Sequence, residues 1–579
     1  MNVAELFVEY VARCGGETVY TVNGGMAMYL NKALAEHKKI RSIFVHHEQA
    51  AVCAAEGYAK SRDFKNPGIV CVTAGPGVSN ALTGILSANA DSAPIFVLAG
   101  QVKESDIDRW GTRTHGVQEI RSMQIMKEAT KGVFRISKQN LESNLLEIHS
   151  LYQNSRSGVI FIEIPLNVQQ IEVLDAENIL TRTLLIKKST SIIENEALKS
   201  LILLISQSQK TSFFIGNGTR ISGARIEVLL NVLRNKCIPR FYTWLSQDLE
   251  SFYDTSNLNC PGSLAGIYSN KFLQESELVF FLGARLDLAT TAFQRDTFGA
   301  KGKRIIIDID PTELAKFENN PQDILIQGDI CEILEQLIEL IETYASKQQR
   351  WEESYKIEKE RYLEAEELIL KVEQFSTRDL THKICQAMTD GTLVMSSSGY
   401  AAEGIARFFR GNGELRFFHG GGLGSMGQGL SHGIGAISAR ISEENPVWIL
   451  ESDGGLMMNL HELATLKYLN PKNAIVFILN NGGYASIKNS QIRHFGKTAG
   501  TDSSNGLFFP SWESIAGTFN LPYLKYEDPE IIDFKTLLGR DLTIVEIHLD
   551  AMEMRGPALK TVMTEMGPQT QKLDQIDWD

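Results

Sequence analysis

Two residues 28 positions apart, Asp453 and Asn481, carry side chains suited to a hard cation. Each follows an apolar run of the kind that builds a buried strand. Residues 447–450 (VWIL) run into Glu451-Ser452-Asp453-Gly454-Gly455, an acidic turn too rich in glycine to continue the strand. Residues 474–479 (AIVFIL) run into Asn480-Asn481-Gly482-Gly483. Between them, 459–469 sets Leu460, Leu463, Ala464, Leu466 and Tyr468 at helical spacing. Strand, helix and strand form one β-α-β unit, and ligands of parallel sheets gather at the carboxyl ends of the strands. A carboxylate, an amide oxygen and freed backbone carbonyls suit Mg²⁺, which keeps several waters and takes further ligands from a phosphate. Neighbouring glycines, Gly454 and Gly455 among them, let backbone N–H groups approach that phosphate. The plainer reading is a β-α-β unit with polar turns and no ligand.

A second candidate is Glu48, in His46-His47-Glu48-Gln49-Ala50-Ala51. The start looks like a zinc HExxH helix, but Ala51 stands where the second His is required, so zinc is not expected. An acidic residue in a first helical turn needs no function, because the helix dipole favours it there.

These residues need a scaffold, and the chain reads as α/β throughout. Residues 1–170 alternate helix 2–14, strand 18–22, strand 43–45, an Ala-rich helix 48–62, strand 69–72, the tight loop Thr73-Ala74-Gly75-Pro76-Gly77 opening a helix, and strands 95–98 and 159–164. Residues 170–190 read as a linker. A middle domain, 190–345, has strands 211–215, 278–282 and 304–309, each running into a turn: Gly216-Asn217-Gly218, Gly283-Ala284-Arg285 and Asp310-Pro311. A lone Gly-Asn-Gly is a weak nucleotide signal. The charge-dense 346–375 reads as a solvated linking helix. A third domain, 376–550, holds the Asp453 unit and precedes a tail, 551–579.

Composition bounds the partners. At 579 residues, 43% hydrophobic, the chain fills several cores. A net charge of −13 without a long Lys/Arg run argues against nucleic acid. Seven scattered cysteines with no CxxC pair read as reduced thiols of a cytoplasmic protein. No apolar run reaches the roughly 18 residues of a membrane span, and the N-terminus, with Glu5 and Glu9, lacks the basic and apolar regions of a signal peptide.

Asp453-Gly454 followed by Asn480-Asn481 resembles the thiamine diphosphate motif, with Ser452 where a Gly is usual. His46–Ser61 followed by 72–102 resembles the pyrimidine-binding domain of the acetolactate synthase group, and Gly420-Gly421-Gly422-Leu423-Gly424-Ser425-Met426-Gly427 resembles its GGLGxMG loop. The similarity runs from about residue 2 to 550, with three motifs in family order. It implies three Rossmann-like or flavodoxin-like domains with parallel sheets, and it assigns roles. Asp453, Asn481 and the carbonyl of Gly483 hold Mg²⁺. Glu48 contacts N1′ of the aminopyrimidine and drives the 4′-amine toward its imino tautomer. Met426 buttresses the bent cofactor, with the Gly424 carbonyl on the 4′-amine. Gly399, Gly454, Gly455 and Tyr484 complete the cofactor site, and Gln118 points at the reacting substrate. The central domain of the family holds a structural FAD, although here the second Arg of its GARFDDR stretch is lost and the GMHG-like loop is Leu264-Ala265-Gly266-Ile267-Tyr268. Family architecture implies a homodimer or homotetramer, Glu48 of one subunit facing Asp453 and Met426 of another.

Other departures concern the substrate. Val117 replaces a family Phe and leaves a roomier pocket; Tyr400-Ala401 replaces a Gln-His pair. After Tyr484, the stretch ASIKNSQIRHFGKTAG puts Ser486 and Ser490 where acetolactate synthases carry Met and a bulky Trp. This stretch resembles thiamine enzymes of surface-polysaccharide loci that add a two-carbon branch to a nucleotide-linked keto sugar, with Ser486, Lys488, Ser490, Gln491 and Arg493 as candidate contacts; a polar loop without a role is the alternative. The implied activity is decarboxylation of a 2-oxo acid, pyruvate first, and transfer of the two-carbon acetyl unit to an acceptor carbonyl. The alternatives are acetolactate formation proper, simple decarboxylation with His46, His47 or His115 as proton donors, and a non-catalytic nucleotide-binding scaffold.

Overall fold

The structure is a computed structural model describing residues 1–186, 188, 191–263, 267–369, 375–440, 442–551, 561–564 and 567–573. It forms two compact units. One comprises Met1–Ser189, Gly391–Ala402 and Phe418–Ala551; the other comprises Thr190–Asp390, Glu403–Phe417 and Met552–Asp579.

The first unit holds two parallel sheets. In one, β1 (Thr18–Thr21), β2 (Arg41–Phe44), β3 (Gly68–Val72), β4 (Ile95–Gln101), β5 (Gly132–Arg135) and β6 (Val159–Pro165) run in the order β2-β1-β3-β4-β6-β5. The strands β3, β4 and β6 are buried at every residue, which is why they read as mostly apolar runs, with Glu163 the buried exception in β6: helices cover both faces of a parallel sheet. The short β5, only partly buried, gives no such signal and escapes the sequence reading. Helix α1 (Val3–Arg13) opens with a capping box in which Asn2 and Glu5 satisfy each other's backbone N–H at 2.9 Å.

In the other sheet, the strands lying wholly in this unit are β12 (Thr392–Met395), β14 (Val447–Ser452), β15 (Ala474–Asn480), β16 (Tyr523–Tyr526) and β17 (Thr543–His548). They run in the order β12-β14-β15-β17-β16. Strand β14 continues two residues past the expected end at Leu450, because Glu451 and Ser452 pair with Ile478 and Leu479.

Three helices bring the two sheets together: α2 (Glu48–Ser61), α3 (Pro76–Ala90) and α4 (Gln428–Ala439). Small residues let α2 and α4 approach closely. A Cβ on Gly57 would fall 2.2 Å from the carbonyl oxygen of His432, and one on Gly435 would fall 2.0 Å from that of Ala54. Buried charge sits at the same contact. Lys60 Nζ lies 2.6 Å from Glu56 and 2.7 Å from Asp91, and donates to the His419 carbonyl at 2.6 Å; His432 Nε2 lies 3.2 Å from Glu56. Such charges persist in a core only when paired, and removal of one partner leaves a costly orphan.

The stretch expected to be a linker is built into this unit. A helix at Ala176–Leu184 buries Ile179 and Leu180 in the same core cluster as Val168 and Ile164. Its apolar positions are only four in nine residues, so periodicity alone did not separate it from a linker.

The second unit holds β7 (Thr211–Ile215), β8 (Arg240–Tyr242), β9 (Leu278–Leu282), β10 (Lys303–Asp308) and β11 (Ile324–Gln327), all parallel, in the order β11-β10-β9-β7-β8. The short strand β13 (Arg416–Phe418) and an antiparallel pair, β18 (Thr561–Thr564) and β19 (Gly567–Thr570), follow in the chain. The charge-dense helix Gln349–Ile369 is not merely a solvated link. Trp351, Tyr355 and Tyr362 form a buried stripe, and Lys359 donates to the carbonyls of Phe252, Asp254 and Asn257. The mean composition hides that stripe because charged residues surround it.

Candidate active site

The Asp453 turn begins where β14 ends. Ser452 Oγ accepts the Gly455 N–H at 3.0 Å and caps the turn. Asp453 follows it into the interior, 1% exposed. Its Oδ1 accepts the N–H of Gly454 at 2.7 Å, and its Oδ2 accepts that of Gly483 at 2.8 Å, so the ends of β14 and β15 meet at this carboxyl. Burial pushes its pKa up to about 7 against the pull of those N–H groups. The Asn481 Oδ1 is buried and has no hydrogen-bond partner among the described residues. A desolvated carboxylate and an orphaned amide oxygen at adjacent strand ends have the chemistry that could hold a hard cation.

The remaining residues of this half close around the same point. A Cβ on Gly454 would fall 2.5 Å from the Tyr484 ring, so glycine leaves room there for the ring, with the Met426 methyl at ordinary contact distance, 3.9 Å. Gly483 has φ +135°, and a Cβ on it would fall 2.2 Å from the Thr501 carbonyl oxygen, which also accepts the Tyr484 N–H at 2.8 Å. The N–H of Gly424 donates to the Gly420 carbonyl at 3.2 Å, and the loop ends with Asn459 Nδ2 on the Gly427 carbonyl at 2.7 Å. Gly399 has φ +95° with open space beside its Cα. Gly455 abuts Glu451, a fully buried carboxyl whose pKa burial also lifts to about 7. Neither Glu451 nor Asn459 was singled out from sequence: each lies among polar turn residues, and only the packing shows it to be interior.

Glu48 lies in the first turn of α2, nearly buried, and accepts the Asn80 amide at 3.0 Å on one oxygen. Gly77 lies beside its other oxygen. The entry to α2 is held from the connection between β14 and β15: Glu462, the last residue of the 3₁₀ turn Leu460–Glu462, accepts on Oε1 the N–H groups of His46 at 2.9 Å and His47 at 3.1 Å, while Thr465 donates to its other oxygen. Carboxylates are favoured at this end of a helix. Gln118 has φ +65° and is exposed, with its backbone against Gly75; Val117 is 89% exposed. Among the described residues no hydrogen bond or ion pair joins Glu48 or Gln118 to Asp453, Asn481 or Met426.

Comparison with known proteins finds both halves similar to domains of thiamine pyrophosphate enzymes. Residues 1–125 match the thiamine pyrophosphate enzyme N-terminal TPP binding domain, 198–337 match the central domain, and 397–542 match the C-terminal TPP binding domain. The chain is 27% identical to the chloroplastic acetolactate synthase of Arabidopsis thaliana, over 83% of this chain and 70% of that one. It is 26% identical to a probable acetolactate synthase large subunit of Methanococcus aeolicus (92% and 89%), and 27% identical to the acetolactate synthase isozyme 1 large subunit of Escherichia coli strain K12 (84% and 83%). The chain belongs to the thiamine diphosphate-dependent enzymes. It is of the acetolactate synthase type, a carboligase whose cofactor is thiamine diphosphate.

Within this family member, the stretch after Tyr484 is not a polar loop. It forms helix α5 (Ala485–Phe495), ended by Gly496 in the left-handed conformation. Ser486 and Ser490 are four residues apart and share a helix face; Ser490 is exposed. Other candidate contacts are engaged within the chain. Gln491 closes on the Ala499 backbone, accepting its N–H at 2.8 Å and donating to its carbonyl at 3.3 Å. Lys488 pairs with Asp502 at 2.9 Å.

In the second unit, the Gly-Asn-Gly turn has a packing explanation. A Cβ on Gly216 would fall 2.0 Å from the Gly283 carbonyl oxygen, so the turns after β7 and β9 interlock backbone to backbone. Arg285 pairs with Asp287 at 3.1 Å. The stretch 264–266, expected to form part of a flavin loop, lies outside the described residues.

Among the described residues no helix is long and apolar enough to cross a membrane.

Proposed function

We propose that this protein is a Mg²⁺- and thiamine diphosphate-dependent carboligase. It splits CO₂ from a 2-oxo acid, pyruvate first, and joins the remaining two-carbon acetyl unit to the carbonyl of a nucleotide-linked keto sugar. The observation that carries the reading is the pairing of a buried Asp453 carboxyl with the unpartnered Asn481 Oδ1 at the ends of neighbouring strands. These atoms and the Gly483 carbonyl would hold the metal. Backbone N–H groups near Gly399, Gly454 and Gly455 would face the diphosphate, and Met426, Gly424 and Tyr484 would flank the rings. When bound, thiamine diphosphate takes up the electrons released with CO₂. Glu48 shares a proton with N1′ of the aminopyrimidine, and Gln118 orients the substrate. Asn80 holds one Glu48 oxygen and leaves the other free for that exchange.

The acceptor assignment rests on α5. Ser486 and Ser490 give a wider and more polar wall than Met and Trp, and a site that pairs hydroxyls discriminates strongly against acceptors lacking them. The names of the relatives support a second reading, acetolactate formation from pyruvate or 2-oxobutyrate. A cytoplasmic homo-oligomer belongs to the same proposal, supported by seven free cysteines and by the finding that, among the described residues, no hydrogen bond or ion pair joins Glu48 or Gln118 to Asp453, Asn481 or Met426 of the same chain. Dimer and tetramer are both compatible with it. Flavin in the central domain rests on family resemblance alone, since the glycines of its turns are already used in packing; a purified protein without flavin absorbance removes it.

The test is to supply pyruvate with thiamine diphosphate and Mg²⁺, alone or with 2-oxobutyrate or a nucleotide-linked keto sugar, and to follow CO₂ and product mass. CO₂ release with a branched sugar is the expected result. Acetolactate or its homologue as sole product establishes the second reading. Bound cofactor without CO₂ release eliminates pyruvate as donor.

A further inference from the structure

The turn that presents Asn481 is held from behind by a residue outside every motif. Asn480, the last residue of β15, uses both ends of its amide. Its Oδ1 accepts the Gly482 N–H at 3.0 Å, which folds the turn, and its Nδ2 donates to Glu546 Oε1 at 2.7 Å. Glu546 belongs to the adjacent β17, where it pairs in register with Ile478. Its carboxyl is nearly buried in a strand that is otherwise apolar around it. The Tyr523 hydroxyl of β16 donates to its other oxygen, and His548 Nε2 lies 2.9 Å from Oε1. Three strands thus converge on one carboxylate, whose link to the turn is Asn480.

We propose that Glu546 is a positioning residue for the metal turn: by locking Asn480 it sets the direction of Asn481 Oδ1 and the place of Gly483. The proposal rests on the reading of Asp453 and Asn481 as Mg²⁺ ligands. Burying a carboxylate is costly unless its donors repay it. An Asn480 anchored only through Gly482 would leave the turn free to pivot about the strand end. Mg²⁺ tolerates little deviation from octahedral geometry, so a pivoting amide lowers metal affinity without removing a ligand. Residues behind metal ligands typically alter affinity by about 10- to 100-fold.

The experiment titrates Mg²⁺ at fixed thiamine diphosphate, following cofactor binding by intrinsic tryptophan fluorescence, in wild type, Glu546→Ala, Glu546→Gln and Asn480→Asp. The Gln variant keeps an acceptor for Asn480. The Asp variant keeps the acceptor for Gly482 but turns a carboxylate oxygen toward Glu546. Expected are a rise of about 10- to 100-fold in half-saturating Mg²⁺ for Glu546→Ala and Asn480→Asp, recovery of binding at saturating Mg²⁺, and a change under about threefold for Glu546→Gln. Thermal melting of each cofactor-free variant separates this from loss of structure: a lowered midpoint with unchanged half-saturating Mg²⁺ overturns the proposal. If Glu546→Ala does not fold, Asn480→Asp decides alone by the same criterion. Asp453→Ala is run in parallel. If it retains wild-type Mg²⁺ dependence, the metal reading itself fails. If it loses that dependence while both clamp variants behave as wild type, only the positioning role fails.

Discussion

The two halves of the site differ in how finished they are. Around Asp453 the carboxyl is buried, Gly454 is pressed by the Tyr484 ring and Gly483 by the Thr501 carbonyl, and Asn481 Oδ1 has no hydrogen-bond partner among the described residues. Around Glu48 the helix entry is tied down by Glu462, but Gln118 and Val117 stand in solvent. The difference teaches a division of labour. In our proposal, anchoring an ion and a diphosphate needs a fixed, desolvated cage, and one chain would supply it. Substrate-facing groups gain their surroundings from something else, in our proposal a second subunit.

That contrast can be broken in four ways. The largest effect is expected at Glu48, where Glu48→Gln should slow proton exchange at C2 of bound thiamine diphosphate by about 10³-fold or more while cofactor affinity changes under about threefold. Unchanged exchange, measured by NMR in deuterated buffer, would show that Glu48 does no proton chemistry. Asp453→Ala should instead weaken Mg²⁺-dependent cofactor binding by about 10²- to 10³-fold, since it removes the one charged side chain of the proposed metal ligands; calorimetric titration checks it.

A third prediction concerns the metal-free protein. The Asp453 pKa stands above its unfolded value because of burial, so the native state holds that proton more tightly. Its contribution to stability is present below the unfolded carboxylate pKa and is lost as pH rises through about 7. Asp453→Asn, which carries no titrating carboxyl, should therefore gain on wild type by roughly 2–3 kcal/mol between about pH 5 and pH 8. Chemical denaturation with chelator at both pH values tests this, and a pH-independent difference would contradict it. The smallest effect is expected on α5: Ser490→Trp should cut use of a bulky acceptor by about 10-fold relative to pyruvate as acceptor. Equal losses with both acceptors, measured as kcat/KM, would remove Ser490 from the acceptor wall.

Legibility from sequence followed burial. Strands such as β7 and β9, buried at every residue, are legible to the residue, whereas β5, β8 and β11 are not, because three or four residues, some only partly buried, carry too little pattern. The helix Ala176–Leu184 was read as a linker and the helix Gln349–Ile369 as solvated. In both, a narrow apolar stripe lies among polar residues and counts only once a core is there to receive it.

The order of the motifs, the residue types at Glu48, Met426, Asp453 and Asn481, and the α/β class were determined by sequence alone. They depend on local chemistry: glycines that permit backbone approach, side chains that bind cations, and periodicity that selects strand or helix. Tertiary structure alone decided that Asp453 is desolvated, that Asn481 Oδ1 has no partner among the described residues, that Glu462 ties the entry of α2 to the connection between β14 and β15, and that Glu546 stands behind Asn480. These are relations between groups up to 416 positions apart, and only the packing of sheets and helices brings such groups within a hydrogen bond's reach.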